Sequence, residues 1–256
     1  MTDLEQRLLK AIGITETAAQ VALGHFRNSP DIETKADQSP VTIADKETET
    51  AIREGLACAF PGEAIFGEEY GHSGEGQDMW IVDPIDGTRS FITGLPLFGM
   101  LLGYLRGNRP QLGIIRMPAL GEVYAGGVGI GATCNGDKIG VSGCKELAKA
   151  RLFINEGDKI AAEMPEVFAG LVQAGELRRM GADCYPHALV ARGLADAVVD
   201  FDLQPYDYLP VSAVVEAAGG IMTDWQGQPL DMGSDGRTLT AATPELHAAL
   251  IELVNA

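Results

Sequence analysis

W-I-V-D-P-I-D-G-T-R-S-F, residues Trp80 to Phe91, is the stretch around which the rest of the chain arranges itself. The apolar run Met79 to Val82 has the length and β-branched content of a buried strand, and it runs into Asp83, Pro84, Ile85, Asp86, Gly87 and Thr88. Two carboxylates therefore stand where a strand stops. Pro84 removes a backbone donor and is expected to end the sheet, Gly87 permits a positive φ, and Asp86 to Thr88 is expected to open a helix with free N–H groups. Such a corner suits a hard divalent cation and a phosphate side by side, because carboxylates hold the metal while the helix N-terminus faces the anion. By themselves the same residues also fit an Asp-Pro turn followed by an Asp-Gly turn, which is common loop chemistry.

Upstream, Ala64-Ile65-Phe66 reads as a second short strand that runs into Gly67, Glu68, Glu69, Tyr70 and Gly71. Adjacent glutamates on a strand point to opposite faces, so one of them, Glu68, is the candidate to join Asp83 and Asp86. Three carboxylates in reach of one another repel strongly unless a cation is bound, and an oxygen-only set favours Mg²⁺ over soft metals. Without the following strand, Glu68-Glu69 reads equally as a solvated acidic loop.

The 256 residues, 46% of them hydrophobic, supply a sizeable core for one large domain or two closely packed halves. No apolar run approaches membrane-spanning length and the N-terminus M-T-D-L-E-Q-R lacks a basic n-region, so the chain is expected to be cytoplasmic with no membrane partner. Cys58, Cys134, Cys144 and Cys184 show no C-x-x-C spacing, which indicates neither a zinc site nor a disulfide framework. A formal charge of −17 argues against nucleic acid as a partner, since there is no positive surface to displace counter-ions from a polyanion.

Along the chain, Leu4, Leu8, Ile12, Ala19, Ala22, Leu23 and Phe26 mark a packing helix over residues 3–28, with Gly13 its weak point. The segment Asn28 to Pro40 is polar and Pro-punctuated, and is expected to be a mobile loop at a site. Asp45 falls near the start of a helix running to about Ala59, where the dipole favours an acid for purely structural reasons. Residues Leu97 to Leu105, Gln111 to Arg116 and Glu122 to Ala125 read as a meander. The tract Gly126 to Gly131 is G-x-G-x-G followed by turn residues, which argues against a dinucleotide-binding fold. From Arg151 strands alternate with helices: Leu152 to Asn155, a helix about Lys159 to Gln173, Glu176 to Arg179, a helix about Cys184 to Arg192, then Ala197 to Asp200. A further helix opens at Tyr206-Asp207 and stops at Gly219-Gly220, so that Asp207 stands at a helix N-terminus, where a capping role fits equally well. A last amphipathic helix covers about Glu245 to Val254.

Gly67-Glu68-Glu69 together with Asp83-Pro84-Ile85-Asp86-Gly87-Thr88 resembles the signature of the inositol monophosphatase superfamily, the Mg²⁺-dependent, lithium-sensitive phosphatases. At background frequencies of several per cent per residue, the six positions of D-P-I-D-G-T would arise by chance in such a chain with odds on the order of 10⁻⁵ or less. The continuation Arg89 to Pro96 resembles the histidinol-phosphate phosphatase branch more than the inositol monophosphatases proper, which tend to carry T-N-F there. Ser39 to Asp45 and Gln204 to Gly220 are similar to two further segments of the superfamily, in the family's order, and Tyr206 for Trp is a histidinol-phosphatase habit.

The resemblance implies an α/β (α+β) fold, a layered α/β/α/β/α sandwich. Its N-terminal α+β half (1–150) carries a mostly antiparallel sheet and the metal motifs, and an α/β half (151–256) completes the site. It implies two or three Mg²⁺ per site, held by Glu68, Asp83, the Ile85 carbonyl, Asp86, Thr88 and Asp207. Thr88, Asp45 and Glu68 are then catalytic, with Asp45 hydrogen-bonding Thr88 to relay a proton from the attacking water. N–H groups of Gly87 and Thr88 bind phosphate, and Lys35 resembles a loop lysine that approaches the phosphate or the third metal. Asp86, Asp183, Asp200 and Asp207 face the substrate, and acids at positions 183 and 200 suit an ester bearing a protonated amine, as in histidinol phosphate. Two departures stand beside this: Asp200 is a methylene shorter than the usual Glu, and Pro186-His187 interrupts a helix start. Arg178 or Arg179 is either a pocket residue or part of a solvated basic pair. The expected activity is Mg²⁺-dependent hydrolysis of histidinol phosphate, with a small phosphorylated substrate as partner and a homodimer as assembly. The alternatives are another small ester, such as inositol phosphate or a 3′-phosphonucleotide, and a catalytically silent metal-binding relative.

Overall fold

The computed structural model describes residues 1–28, 32–34 and 40–256, with side chains for 1–28 and 42–256. Helix α1 (Asp3–His25) is opened by Thr2 in a reciprocal capping box with Glu5, and buries Leu8, Ala11, Ala18, Ala19 and Ala22. A short antiparallel pair, β1 (Ile32–Thr34) and β2 (Pro40–Thr42), follows where the sequence suggested only loop, and leads into α2 (Ile43–Ala59). Lys35 lies outside the described residues.

The first sheet holds β3 (Ala64–Gly67), β4 (Gly71–Ser73), β5 (Met79–Asp86), β6 (Gly99–Arg106), β7 (Arg109–Met117), β8 (Glu122–Gly127), β9 (Gly131–Cys134) and β10 (Asp137–Ile139), with the short helix α3 (Thr88–Ile92) after β5. The spatial order is β10-β9-β8-β7-β6-β5-β3-β4, antiparallel except for the parallel pair β3/β5. The second half contributes β11 (Arg151–Ile154), α4 (Gly157–Glu163), α5 (Pro165–Leu171), β12 (Leu177–Met180), α6 (Tyr185–Ala191), β13 (Ala197–Asp200), α7 (Pro205–Ala217), β14 (Ile221–Asp224), β15 (Thr238–Ala241) and α8 (Pro244–Val254). Its five strands are ordered β12-β11-β13-β15-β14. The glycine tract at 126–131 is the end of β8, the turn at 128–130 and the first residue of β9, with Gly129 and Gly131 at positive φ.

Five layers result. Helices α1 and α2 cover one face of the first sheet, through Leu8, Ile52 and Leu56 against Trp80, Val82 and Leu102. The other face packs Ile81, Leu101 and Ile115 on Tyr208, Leu209, Val211 and Val214 of α7, and on Ala188 and Ala191 of α6. These middle helices also meet the second sheet, Val190 of α6 packing on Val198, while α8 closes the far side with Leu246 and Leu250 on Leu152 and Leu239. Among the described residues no helix is long and apolar enough to cross a membrane.

Two expectations are corrected. The strand at Met79 does not stop at Val82; it continues to Asp86, with its pairing to β6 shifted between Asp83 and Asp86. Pro84 lies inside this bulge, where the absent N–H interrupts no regular ladder. The helix expected over Lys159 to Gln173 is two helices broken at Met164, whose φ of −135° and ψ of 61° are non-helical. Pro165 disfavours the α conformation for the residue before it.

The middle layer lies very close to the first sheet. A Cβ on Gly113 of β7 would fall 1.9 Å from the Pro210 carbonyl oxygen of α7, so only glycine admits the helix at this depth. Gly113→Ala is expected to cost about 3 kcal/mol of stability or more, as over-packing against backbone does. Urea denaturation would register this as a lower midpoint at unchanged slope; a loss below about 1 kcal/mol would mean that α7 is free to move outward.

Candidate active site

The parallel pairing of β3 with β5 sets Gly67 opposite Val82, and the Glu68 N–H donates to the Val82 carbonyl at 3.1 Å. Glu68, just past the end of β3, and Asp83, within β5, are thereby neighbours. On a regular strand Asp83 and Asp86, three residues apart, would point to opposite faces. The bulge inserts the extra residue that returns them to one side, and the Asp83 carboxylate accepts the Ile85 N–H at 2.9 Å. Gly87, at φ 81°, then turns the chain into α3.

Asp207 comes from the first turn of α7, with Oδ2 accepting the Gln204 N–H at 2.7 Å. The capping role and the site role are thus compatible. Asp83, Asp86 and Asp207 each bring one oxygen to within 4.8 Å of the others. Burial drives the Asp83 and Asp86 carboxyls well above the usual carboxylate range. The charges of Glu68 and Asp207 add to this for Asp83, and those of Asp183 and Asp207 for Asp86. Asp207 is pushed up to about 7, chiefly by burial and further by Glu68.

Acids this crowded give up their protons readily only when a cation occupies the site in their place. The donors are all oxygen, with no thiolate or imidazole among the three, so the set fits a hard ion such as Mg²⁺. The Ile85 carbonyl and the Thr88 hydroxyl lie beside it, Thr88 Oγ1 donating to Ile85 O at 3.2 Å.

That bond corrects one expectation, because Thr88 does not donate to Asp45. Asp45 is nearly fully buried, and its Oδ2 accepts from Thr42 N at 2.8 Å and from Thr42 Oγ1 at 2.7 Å, closing the capping box of α2. Its carboxyl is raised by burial and by the charge of Glu68, against the lowering effect of the Thr42 hydrogen bonds. Asp45 therefore faces the cluster electrostatically while its hydrogen bonds are local.

The cluster floors a cavity of about 480 Å³, lined also by Gly87, Thr88, Asp183 and Asp200. Asp183 accepts a hydrogen bond from Ser90 Oγ at 2.7 Å and sits against Gly87, where a Cβ would come within 2.6 Å of the Asp183 carboxyl carbon. Asp200, 2% exposed, accepts from Phe201 N, Asn155 Nδ2 and His187 Nε2. Neither Arg178 nor Arg179 lines the cavity; Arg178 donates to the Ala174 and Gly175 carbonyls. Pro186 occupies the first turn of α6, where its missing N–H costs nothing, so the helix start is regular after all.

Three residues of the arrangement were not singled out as site residues from sequence. Asn155 and His187 hold Asp200, and Glu49, fully buried, accepts the Glu69 N–H at 2.7 Å and the Tyr70 N–H at 3.3 Å, fixing the turn that aims Glu68. Asn155 carried a usable signal, a polar residue directly after an apolar strand, as at Glu68 and Asp83. Glu49 offered only its place one helical turn after Asp45.

A family model described as the inositol monophosphatase family matches residues 3–256. A histidinol-phosphatase of Chlorobaculum parvum is 38% identical over 249 residues, covering 95% of each chain. A bifunctional phosphatase of Arabidopsis thaliana is 37% identical over 233 residues, 89% of this chain and 67% of that protein. Among solved structures, an inositol monophosphatase from Zymomonas mobilis superposes with a TM-score of 0.90 over 100% of both chains at 33% identity.

Asp83, Asp86 and Asp207 keep their protons to higher pH when folded than when unfolded, so the metal-free folded state binds the more protons. The stability these three acids contribute is then fullest below the unfolded value near 4 and is lost as pH rises through about 7, where Asp207 titrates. The melting temperature of the chelator-treated protein is expected to drop between about pH 5 and about pH 8, and the rise on adding Mg²⁺ to be larger at the higher pH. An equal Mg²⁺ effect at both would contradict the cluster as the binding site.

Proposed function

Because the chain belongs to the inositol monophosphatase family and is a phosphoric monoester hydrolase, we propose that its substrate is histidinol phosphate, released as histidinol and phosphate with Mg²⁺ as cofactor. The observation that carries the choice of substrate is the acidic wall facing the metal-ligand cluster. Asp183 and Asp200 line it, while the lysine and arginine that also line the cavity are paired elsewhere, Lys159 with Glu156 at 2.7 Å and Asp202 at 2.8 Å and Arg89 with Glu156 at 3.6 Å. A leaving alcohol that carries a protonated amine suits such a wall. The similarity to the Chlorobaculum parvum histidinol-phosphatase supports the same reading.

Asp83, Asp86 and Asp207, with Glu68, the Ile85 carbonyl and Thr88, would hold Mg²⁺, which when bound supplies charge neutralisation for the phosphate and a lowered pKa for a coordinated water. Gly87 and Thr88 present first-turn N–H groups of α3, which lack intrahelical acceptors, to the phosphate oxygens. Thr88 orients the attacking water, and its hydroxyl must leave the Ile85 carbonyl to pass a proton toward Asp45. Burial makes Asp45 a stronger proton acceptor than a surface aspartate, which suits it to receive that proton. Attack in line on phosphorus needs no phospho-enzyme. The expected homodimer and cytoplasmic location belong to this same reading.

The second reading is a broader small-ester phosphatase, favoured by the similarity to a bifunctional phosphatase and to an inositol monophosphatase. Phosphate release from histidinol phosphate, inositol 1-phosphate, 3′-phosphoadenosine 5′-phosphate and fructose 1,6-bisphosphate separates the two. A preference in kcat/KM of about a hundredfold for histidinol phosphate, near 2.7 kcal/mol, is expected; a flat profile would favour the broader enzyme. Asp207→Asn is expected to lower turnover by about a hundredfold or more while the metal-free melting temperature stays level or rises, since the neutral amide removes a buried acid. Parallel loss of turnover and stability would count against Asp207 as a ligand.

A further inference from the structure

The acidic wall is itself held by a side chain that the phosphate chemistry does not need. Asn155, at the end of β11, is 3% exposed, and its Nδ2 donates to the Asp183 carbonyl at 2.8 Å and to Asp200 Oδ2 at 2.7 Å. Both partners only accept, so the amide has one permissible orientation, and its Oδ1 is left buried with no hydrogen-bond partner among the described residues. A buried acceptor left unpaired in a native fold calls for a reason.

The segment it tethers is strained. Gly181, Ala182 and Asp183 have φ of 75°, 96° and 51°, three consecutive residues in a region that side-chain-bearing residues rarely adopt. Beyond Asn155, the segment is secured by Ser90 Oγ on the Asp183 carboxylate and by the Cys184 N–H on Asp86 Oδ2, each at 2.7 Å. On the other side, Asp200 Oδ2 also faces His187 Nε2 at 3.1 Å, and His187 Nδ1 lies 2.8 Å from Thr240 Oγ1. Since the carboxylate accepts, Nε2 carries the proton and the Thr240 hydroxyl donates to Nδ1. With Phe201 N–H on Oδ1 at 2.9 Å, the described residues take three of the roughly four acceptor positions of Asp200. One remains for a ligand.

We propose that Asn155, backed by His187, is a specificity-determining positioning residue: it locks Asp183 and Asp200 to one another, so that the two carboxylates meet the amine-bearing alcohol of the ester at a fixed separation. The proposal rests on the substrate class proposed above and adds the device that enforces it. Asn155 acts through the two acids and not on the phosphate, so its loss changes the recognition of the alcohol more than the rate of hydrolysis.

Steady-state kinetics of the Mg²⁺-loaded wild type, Asn155→Ala, His187→Gln and His187→Phe with histidinol phosphate and with p-nitrophenyl phosphate, which has no amine, test it. For Asn155→Ala, KM for histidinol phosphate is expected to rise about tenfold or more, KM for the aryl ester by less than about threefold, and kcat for both to fall by no more than about threefold. His187→Gln, whose amide still donates to Asp200, is expected to keep more of the selectivity than His187→Phe. If Asn155→Ala does not fold, the His187 pair carries the comparison alone. Equal changes for both esters, or a lowered melting temperature with selectivity intact, would overturn the proposal. Should the wild type itself show no preference for histidinol phosphate, the substrate reading falls. Crystal structures of the wild type and Asn155→Ala then decide the positioning role: displaced Asp183 and Asp200 carboxylates support it, and unmoved ones refute it.

Discussion

Mutual repulsion among buried carboxylates is the constraint on which the rest of this structure turns. Asp83, Asp86 and Asp207 are gathered closely enough that the charge of Asp207 raises the proton affinity of Asp83 and Asp86, and that of Glu68 raises it for Asp83 and Asp207, on top of the larger effect of burial. Hydrophobic packing alone has no reason to assemble such a group, and a metal-free fold must carry it as a cost. The three acids come from a bulged strand end and from a helix start more than a hundred residues later, so neither half of the chain builds the cluster by itself.

What holds the acids together is the depth at which the middle layer is seated. Helix α7 buries Tyr208, Leu209, Val211, Val214 and Val215 and packs against the first sheet where Gly113 lets the backbones approach. That seating fixes the height of its first turn, and hence of Asp207, relative to the end of β5. The apolar core of α7 and the polar site at its N-terminus are consequences of one docking geometry. Glu49 performs the matching task on the other side, gripping the backbone after Glu68 from α2.

On the proposed reading, the site divides into a reaction centre and a recognition wall with different physical supports. The reaction centre relies on strand register and a bulge, which are stiff. The wall relies on a left-handed run at residues 181–183 and on hydrogen bonds from Asn155, Ser90 and His187, which are replaceable one side chain at a time. A family that keeps one chemistry across several esters would be served by this separation, since side chains of the wall can be exchanged without exchanging the residues that bear the cation ligands.

Much of this was legible in the sequence. The acids at strand ends, the glycine after Asp86, the oxygen-only donor types, the helix opening at Asp207 and the order of most elements follow from apolar period, breaker residues and charge placed at fixed offsets. Other features were not legible. Pro84 reads as the end of a strand, yet the strand continues through it; Thr88 was expected to bond Asp45, yet each is engaged within three residues of itself. Asn155 and His187 drew no notice as a pair, because what unites them is Asp200, reached from two different elements. The sequence by itself determined which groups were available and on which kind of element each would lie. Only the tertiary structure decided which way they point and which of them meet, because a bulge reverses the alternation that a strand pattern encodes, and because contacts between distant segments depend on how closely whole layers pack.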